Sequence, residues 1–118
     1  MRAKDTLGRH GEELAVRHLQ DAGLRILDRN WRCEVGEIDI VAKDGDVVVI
    51  CEVKTRSGTG FGSPLEAVTW KKTARLRQLA VLWMERHDER AAGLRIDVVG
   101  VRVSPSTDPV IDHVRRAV

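Results

Sequence analysis

Aromatic residues are nearly missing: three Trp, one Phe and no Tyr stand in 118 residues. A single-strand nucleic-acid binder built on base stacking normally carries more rings than Trp31, Phe61, Trp70 and Trp83 supply. Cysteine is as scarce. Cys33 and Cys51 make neither a disulfide framework nor a paired zinc-ligand pattern, and both read as reduced packing residues. No apolar run approaches the ~20 residues that a membrane-spanning helix needs. The segment from Met1 to Glu13 also lacks the apolar stretch of a signal peptide. The expectation is a cytoplasmic chain with no membrane partner. His10, His18, His87 and His113 show no metal-ligand spacing and read as surface or packing residues. Net charge is only +2, too small to announce a polyanionic partner.

What is present suffices for one domain over residues 1–118, with a core from about 5 to 113. With 42% apolar and 32% charged residues the chain matches a folded soluble protein. A chain of this length buries about two-thirds of its unfolded surface, so a core forms without staples. The charge is unevenly spread. Between Val53 and Arg77 stand Lys54, Arg56, Lys71, Lys72, Arg75 and Arg77 against Glu66 alone. Such a stretch suits a phosphate backbone, and on charge alone it equally suits a solvated helix face.

The element order follows from period and punctuation. Asp5 to Ala22 reads as a helix capped by Asp5 or Thr6 and stopped by Gly23. Its buried stripe is Gly11, Leu14, Ala15, His18, Leu19 and Ala22. Leu24 to Arg32 reads as a strand with a loop. Glu37 to Lys43 and Val47 to Thr55 are β-rich runs around Asp44-Gly45, a strong hairpin signal. Arg56 to Gly62 is a glycine-rich loop without the Gly-Lys-Ser/Thr ending of a P-loop, assigned to substrate contact or gating. Ser63-Pro64-Leu65-Glu66 has the capping-box pattern and opens a helix to about Ala91 or Ala92. Leu94 to Val103 is a further strand, Pro105 to Pro109 a turn, and Val110 to His113 a short edge strand. Three strands in close succession make an antiparallel meander, and the long helical crossover returns the fourth parallel. The fold class is therefore α/β, one mixed sheet flanked by helices.

The hairpin carries the chemistry. A two-residue loop at Asp44-Gly45 pairs Lys43 with Asp46 and faces Asp39 with Ile50, leaving Glu52 one diagonal step away. A four-residue loop sets Asp39 directly opposite Glu52. Either register gathers Asp39, Glu52 and Lys54 on one face. Two carboxylates within about 7 Å among Val and Ile are costly when ionised. A hard cation such as Mg²⁺, which takes one or two carboxylates and otherwise keeps water or phosphate oxygens, removes that cost. The alternative is an edge strand with a solvated acidic face. Glu12 lies between Val16 and Leu19 on the helical wheel, at the edge of the buried stripe. Lys72 falls in a stripe with Leu65, Val68, Leu76, Leu79 and Trp83, an apolar slot for a charged residue. It either reaches past the packing to water or contacts a phosphate.

Gly36-Glu37-Ile38-Asp39, twelve residues, then Glu52-Val53-Lys54 resembles the signature of the PD-(D/E)XK nuclease superfamily. The Pro that precedes the Asp in the common form is Ile38 here. The resemblance extends to the bacterial YraN-type family. It runs through Gly11-Glu12, Glu52-Val53-Lys54-Thr55-Arg56, Phe61-Gly62-Ser63-Pro64, Glu66-Ala67-Val68 and Lys72, over about residues 8 to 103. It implies a restriction-endonuclease-like fold, α-β-β-β-α-β with a short final strand. It further implies that Asp39 and Glu52 hold Mg²⁺ or Mn²⁺ with the Val53 carbonyl, and that Lys54 orients or deprotonates the attacking water. Glu12 is similar to the first-helix acidic residue of archaeal Holliday-junction resolvases, which completes the metal site.

The functional expectation is a Mg²⁺-dependent endonuclease acting on DNA, including branched or processed DNA. Asp39, Glu52, Lys54 and Glu12 are its catalytic residues, and Arg56, Lys71, Lys72 and Arg75 contact nucleic acid. A homodimer would match two cuts in a two-fold junction. The rival reading is a non-catalytic nucleic-acid or protein-interaction module that retains the fold.

Overall fold

The computed structural model describes residues 3–57 and 69–117, with the side chains of 3–5 and 70 left aside. Helix α1 (Ala3–Asp21) turns Ala15, Val16 and Leu19 inward. It ends because Gly23 takes φ +92°, a conformation that favours glycine, so that the Leu24 N–H reaches the Leu19 carbonyl at 2.9 Å. Asp5 and Thr6, expected as caps, lie inside this helix.

Strands β1 (Arg25–Cys33), β2 (Gly36–Asp44) and β3 (Val47–Ser57) form the expected antiparallel meander. β4 (Gly93–Ser104) runs parallel to β3, and β5 (Thr107–Val114) closes the sheet in the order β1-β2-β3-β4-β5. The last strand is longer than expected. Ser104 pairs with Thr107, so the preceding turn is confined to Pro105-Ser106, and Pro109 sits on the sheet edge where its missing N–H costs no ladder bond.

The hairpin corrects the preferred register. Asp44 pairs with Val47, so the turn is Gly45-Asp46 rather than Asp44-Gly45. Gly45 has φ +60° while Asp46 stays at negative φ, the pattern of a turn with glycine at its first central position. Lys43 therefore pairs with Val48 rather than Asp46, and Val41 with Ile50. This is the register that the four-residue alternative would have produced, reached with a loop of two.

Helix α2 (Trp70–Arg86) is shorter than expected at both ends. Thr69 is extended at φ −102°, ψ 165° and caps it by accepting the Lys72 N–H, so no continuous helix passes through this residue. The capping box at 63–66 and the glycine-rich stretch from 58 to 62 lie outside the described residues. The far end stops at Arg86 rather than near Ala91. Asp88 turns left-handed at φ +49°, and Lys43 holds Glu89 at 2.7 Å and the Arg90 carbonyl at 3.1 Å against the sheet.

The two helices lie on opposite faces of the sheet. α1 covers Ile40, Ala42, Val49, Cys51, Val99 and Val101, while α2 covers Ile38, Val41, Val48, Ile50 and Ile96. β3 is covered on both faces, which is why Val47-Val48-Val49-Ile50-Cys51 is apolar without alternation. Among the described residues no helix is long and apolar enough to cross a membrane.

Candidate functional site

The site forms where β2 and β3 stop pairing. Their backbone ladder runs no further than Ile40↔Cys51. The next N–H on that side of β3, from Val53, goes to the Asp39 Oδ2 at 2.9 Å. In this register Asp39 falls opposite Glu52. Burial, then the charge of Glu52, pushes the Asp39 carboxyl up to about 7, with Glu12 and Glu37 adding to the effect. Only the Val53 N–H opposes it. The Asp39 carboxyl thus resists ionisation beside the Glu52 charge.

Glu52 carries two cations on one oxygen. Its Oε1 lies 2.8 Å from the Lys72 Nζ and 3.4 Å from the Lys54 Nζ. Lys54 reaches Glu52 because residues two apart on a strand share a face. Lys72 reaches it from the first turn of α2, at the end of the stripe that Leu76, Leu79 and Trp83 bury. The apolar slot thus points the Lys72 ammonium at Glu52. The Lys72 ammonium beside it, then burial, depresses the Lys54 pKa below the ordinary lysine value, against the pull of Glu52.

A cleft of about 430 Å³ opens between this strand end and α2, lined by Glu37, Asp39, Glu52, Lys71, Lys72 and Arg75 among others. Three of the four expected nucleic-acid contacts therefore share a cleft with the carboxylates. Arg56 does not line it, and its exposed guanidinium donates to the Thr55 carbonyl at 3.1 Å. Thr69, which the sequence analysis passed over, also lines the cleft and fixes the turn that carries Lys72. A Thr three residues before Lys72 is a readable capping signal.

Glu12 approaches from the other face. A Cβ on Gly11 would overlap the Thr55 side chain, so only glycine lets α1 lie this close to β3. The approach brings the Glu12 charge within reach of Asp39. Glu12 itself accepts from the Asn30 Nδ2 at 2.6 Å and has Arg29 at 3.7 Å. Among the described residues no three His, Cys, Asp or Glu side chains form a cation site by themselves.

A second polar cluster was not read from the sequence. Asp97, fully buried, takes the Arg95 Nε at 2.9 Å, the His113 Nε2 at 2.8 Å and the Arg116 N–H at 3.1 Å. His113 in turn meets the His18 Nε2 at 3.0 Å, and Arg95 reaches Asp44 at 2.9 Å. The available signal was an Asp inside Ile96-Asp97-Val98-Val99, since a carboxylate in a buried strand requires partners.

The matches to known proteins follow the same residues. The model of the Uncharacterised protein family UPF0102 matches residues 11–101, from Gly11 at the α1–β3 contact to Val101 on β4. The chain belongs to the UPF0102 family. A UPF0102 protein of Frankia casuarinae is 54% identical over 118 residues, covering 99% of each chain. One of Nocardia farcinica is 52% identical over 95% of this chain and 88% of its own. One of Streptomyces coelicolor is 52% identical over 98% of this chain and 90% of its own. The YraN-type resemblance thus holds at the level of the family. In this UPF0102 chain the matched span contains Glu12, Asp39, Glu52, Val53, Lys54, Arg56, Lys71, Lys72 and Arg75.

Proposed function

We propose that this UPF0102 protein is a divalent-cation-dependent nuclease that hydrolyses phosphodiester bonds in DNA. The observation that carries the reading is the mutual constraint of Asp39 and Glu52 at the open end of β2 and β3, with Lys54 and Lys72 on Glu52.

The donor set suits a hard cation. Asp39 and Glu52 supply carboxylate oxygens, and no His or Cys is among the residues found lining the cleft. The Val53 carbonyl is the natural third ligand, because the N–H and C=O of one strand residue point to the same side. Mg²⁺ or Mn²⁺ would be held by these three groups, with water and phosphate oxygens filling the other positions. When bound, such an ion polarises a phosphoryl oxygen and lowers the pKa of a coordinated water. Lys54, easier to deprotonate than an ordinary lysine, orients or deprotonates the attacking water and meets the charge that develops on the phosphate. Lys71 and Arg75 line the approach and hold the backbone phosphates. Glu12 adds negative charge from α1, which opposes ionised Asp39 in the free protein and would favour a cation bound there.

The test is cleavage of linear duplex, single-stranded, flap and four-way DNA with Mg²⁺ or Mn²⁺. Metal-dependent cleavage of at least one form, lost in Glu52→Gln, is expected. Binding without cleavage of any form would favour the non-catalytic module instead.

A further inference from the structure

Two ammonium groups on one carboxylate oxygen are more than a static ion pair needs. Glu52 is nearly enclosed, with its side chain 11% exposed, and without a cation it requires a counter-charge. Lys72 provides the shorter contact, at 2.8 Å against 3.4 Å for Lys54. The two lysines are held differently. Lys54 stands on the same strand as Glu52 and is confined to its face. Lys72 comes from another element and borders the open cleft that it lines together with Glu52, Lys71 and Arg75, so its ammonium can turn from Glu52 to a ligand lying in that cleft. Its backbone stays fixed by the Thr69 cap, so only the side chain has to swing.

A divalent ion on Glu52 would put two positive charges beside the Lys72 ammonium. The ammonium must then leave or the ion is repelled, as like charges at such separations in a half-buried site cost far more than in water. A nucleic-acid phosphate in the cleft gives the departing ammonium a new partner. We propose that Lys72 is an exchangeable counter-ion that closes Glu52 in the free protein and moves to a DNA phosphate, opening Glu52 to the cation. The inference rests on the cation reading of Asp39 and Glu52 given above, and it adds a positioning role for a lysine outside the Asp39, Glu52 and Lys54 set. Cation and DNA then bind with positive coupling, each improving the affinity for the other by the same factor. The free protein is correspondingly a weak cation binder, which restricts the assembled site to the DNA complex.

The experiment is titration of Mn²⁺ by calorimetry into wild type, Lys72→Met, Lys72→Gln and Asp39→Asn. Each is measured alone and with a short duplex whose linkages are phosphorothioate, to suppress cleavage. Thermal melts confirm that each variant is folded. In wild type the duplex should tighten Mn²⁺ binding by about 5- to 150-fold, the usual range of coupling between two sites. Lys72→Met and Lys72→Gln should bind Mn²⁺ at least about fivefold more tightly than wild type when DNA is absent, and the duplex should tighten that affinity by a smaller factor than in wild type, because only the phosphate oxygens at the ion then couple the two. Mn²⁺ binding that Asp39→Asn abolishes but both Lys72 variants leave as in wild type would overturn the exchange and keep the cation site. No Mn²⁺ binding in any protein, with or without duplex, would overturn the cation reading and the exchange together.

Discussion

Gly11 and Thr55 touch with no room for a side chain on the helix: a Cβ at Gly11 would overlap the Thr55 Oγ1. The contact sets how closely α1 lies on β3, and the residue that follows Gly11 is Glu12. Gly11→Ala should therefore cost about 1–3 kcal/mol through overpacking, despite the helix preference for Ala. Thr55→Ala in the same chain should recover part of the loss. Denaturant melts of the two single variants and the double measure it, and strictly additive losses would contradict the contact.

Asp39 lowers the stability of the free protein at neutral pH. Its pKa rises from an ordinary 3.8 to about 7, so the native state keeps a proton that the unfolded chain has released. The contribution is most favourable below the unfolded value and declines as pH climbs from about 4 to about 7. Asp39→Asn should remove that decline and raise metal-free Tm above pH 7; relief of about 1 kcal/mol corresponds to about 4 °C. The same variant should lose Mg²⁺-dependent stabilisation. Equal Mg²⁺ stabilisation in both proteins would contradict the site.

Lys54→Ala leaves Asp39, Glu52 and Lys72 in place. Cleavage should fall by about 10²-fold or more while DNA affinity stays close to that of wild type, as for an interaction made mainly in the transition state. Gel-based single-turnover rates and binding isotherms separate the two quantities. A loss of affinity with an unchanged rate would assign Lys54 to binding alone.

Lys71→Ala and Arg75→Ala remove cations that line the cleft without contacting either carboxylate in the ion pairs described. Each should weaken DNA binding at all sequences and reduce the slope of log affinity against log salt by up to about one. An affinity that ignores salt and both substitutions would make the cleft a solvated face.

Acid should unfold the protein through the Asp97 cluster. Burial by itself would raise the Asp97 pKa, but the bonds from His113, Arg95 and the Arg116 N–H outweigh it and hold the carboxyl below its usual range. Its stabilisation is present above the unfolded value and lost as pH falls through the lower native one. His18 acts earlier, since burial and then His113 depress its pKa from 6.5, so stability declines as pH falls below about 6.5. His113→Ala leaves Asp97 one bond short, should cost about 1–3 kcal/mol, and should move the acid-unfolding midpoint to higher pH. An unmoved midpoint by circular dichroism would show that Arg95 and Arg116 satisfy Asp97 without His113.

The order of elements was legible in the sequence because its signals are local. Gly23 stops α1 within a few residues of the carbonyl it exposes, β-rich runs on either side of a glycine turn mark β2 and β3, and unbroken Val and Ile mark β3 as covered on both faces. Asp39, Glu52 and Lys54 were legible for the same reason: they sit in one hairpin, where the side-chain period of two places them without knowledge of any other element. Which residue pairs with which was not, because Asp44-Gly45 and Gly45-Asp46 are both good turns and only the folded hairpin selects between them. Lys72 looked like a charge in an apolar stripe until α2 packed against the sheet and gave it Glu52. His18 and His113 lie 95 positions apart, and Arg95 and Asp44 lie 51 apart. No local period encodes such pairs. Tertiary structure decided them, because a buried charge takes its partner from whatever the packed core brings within reach.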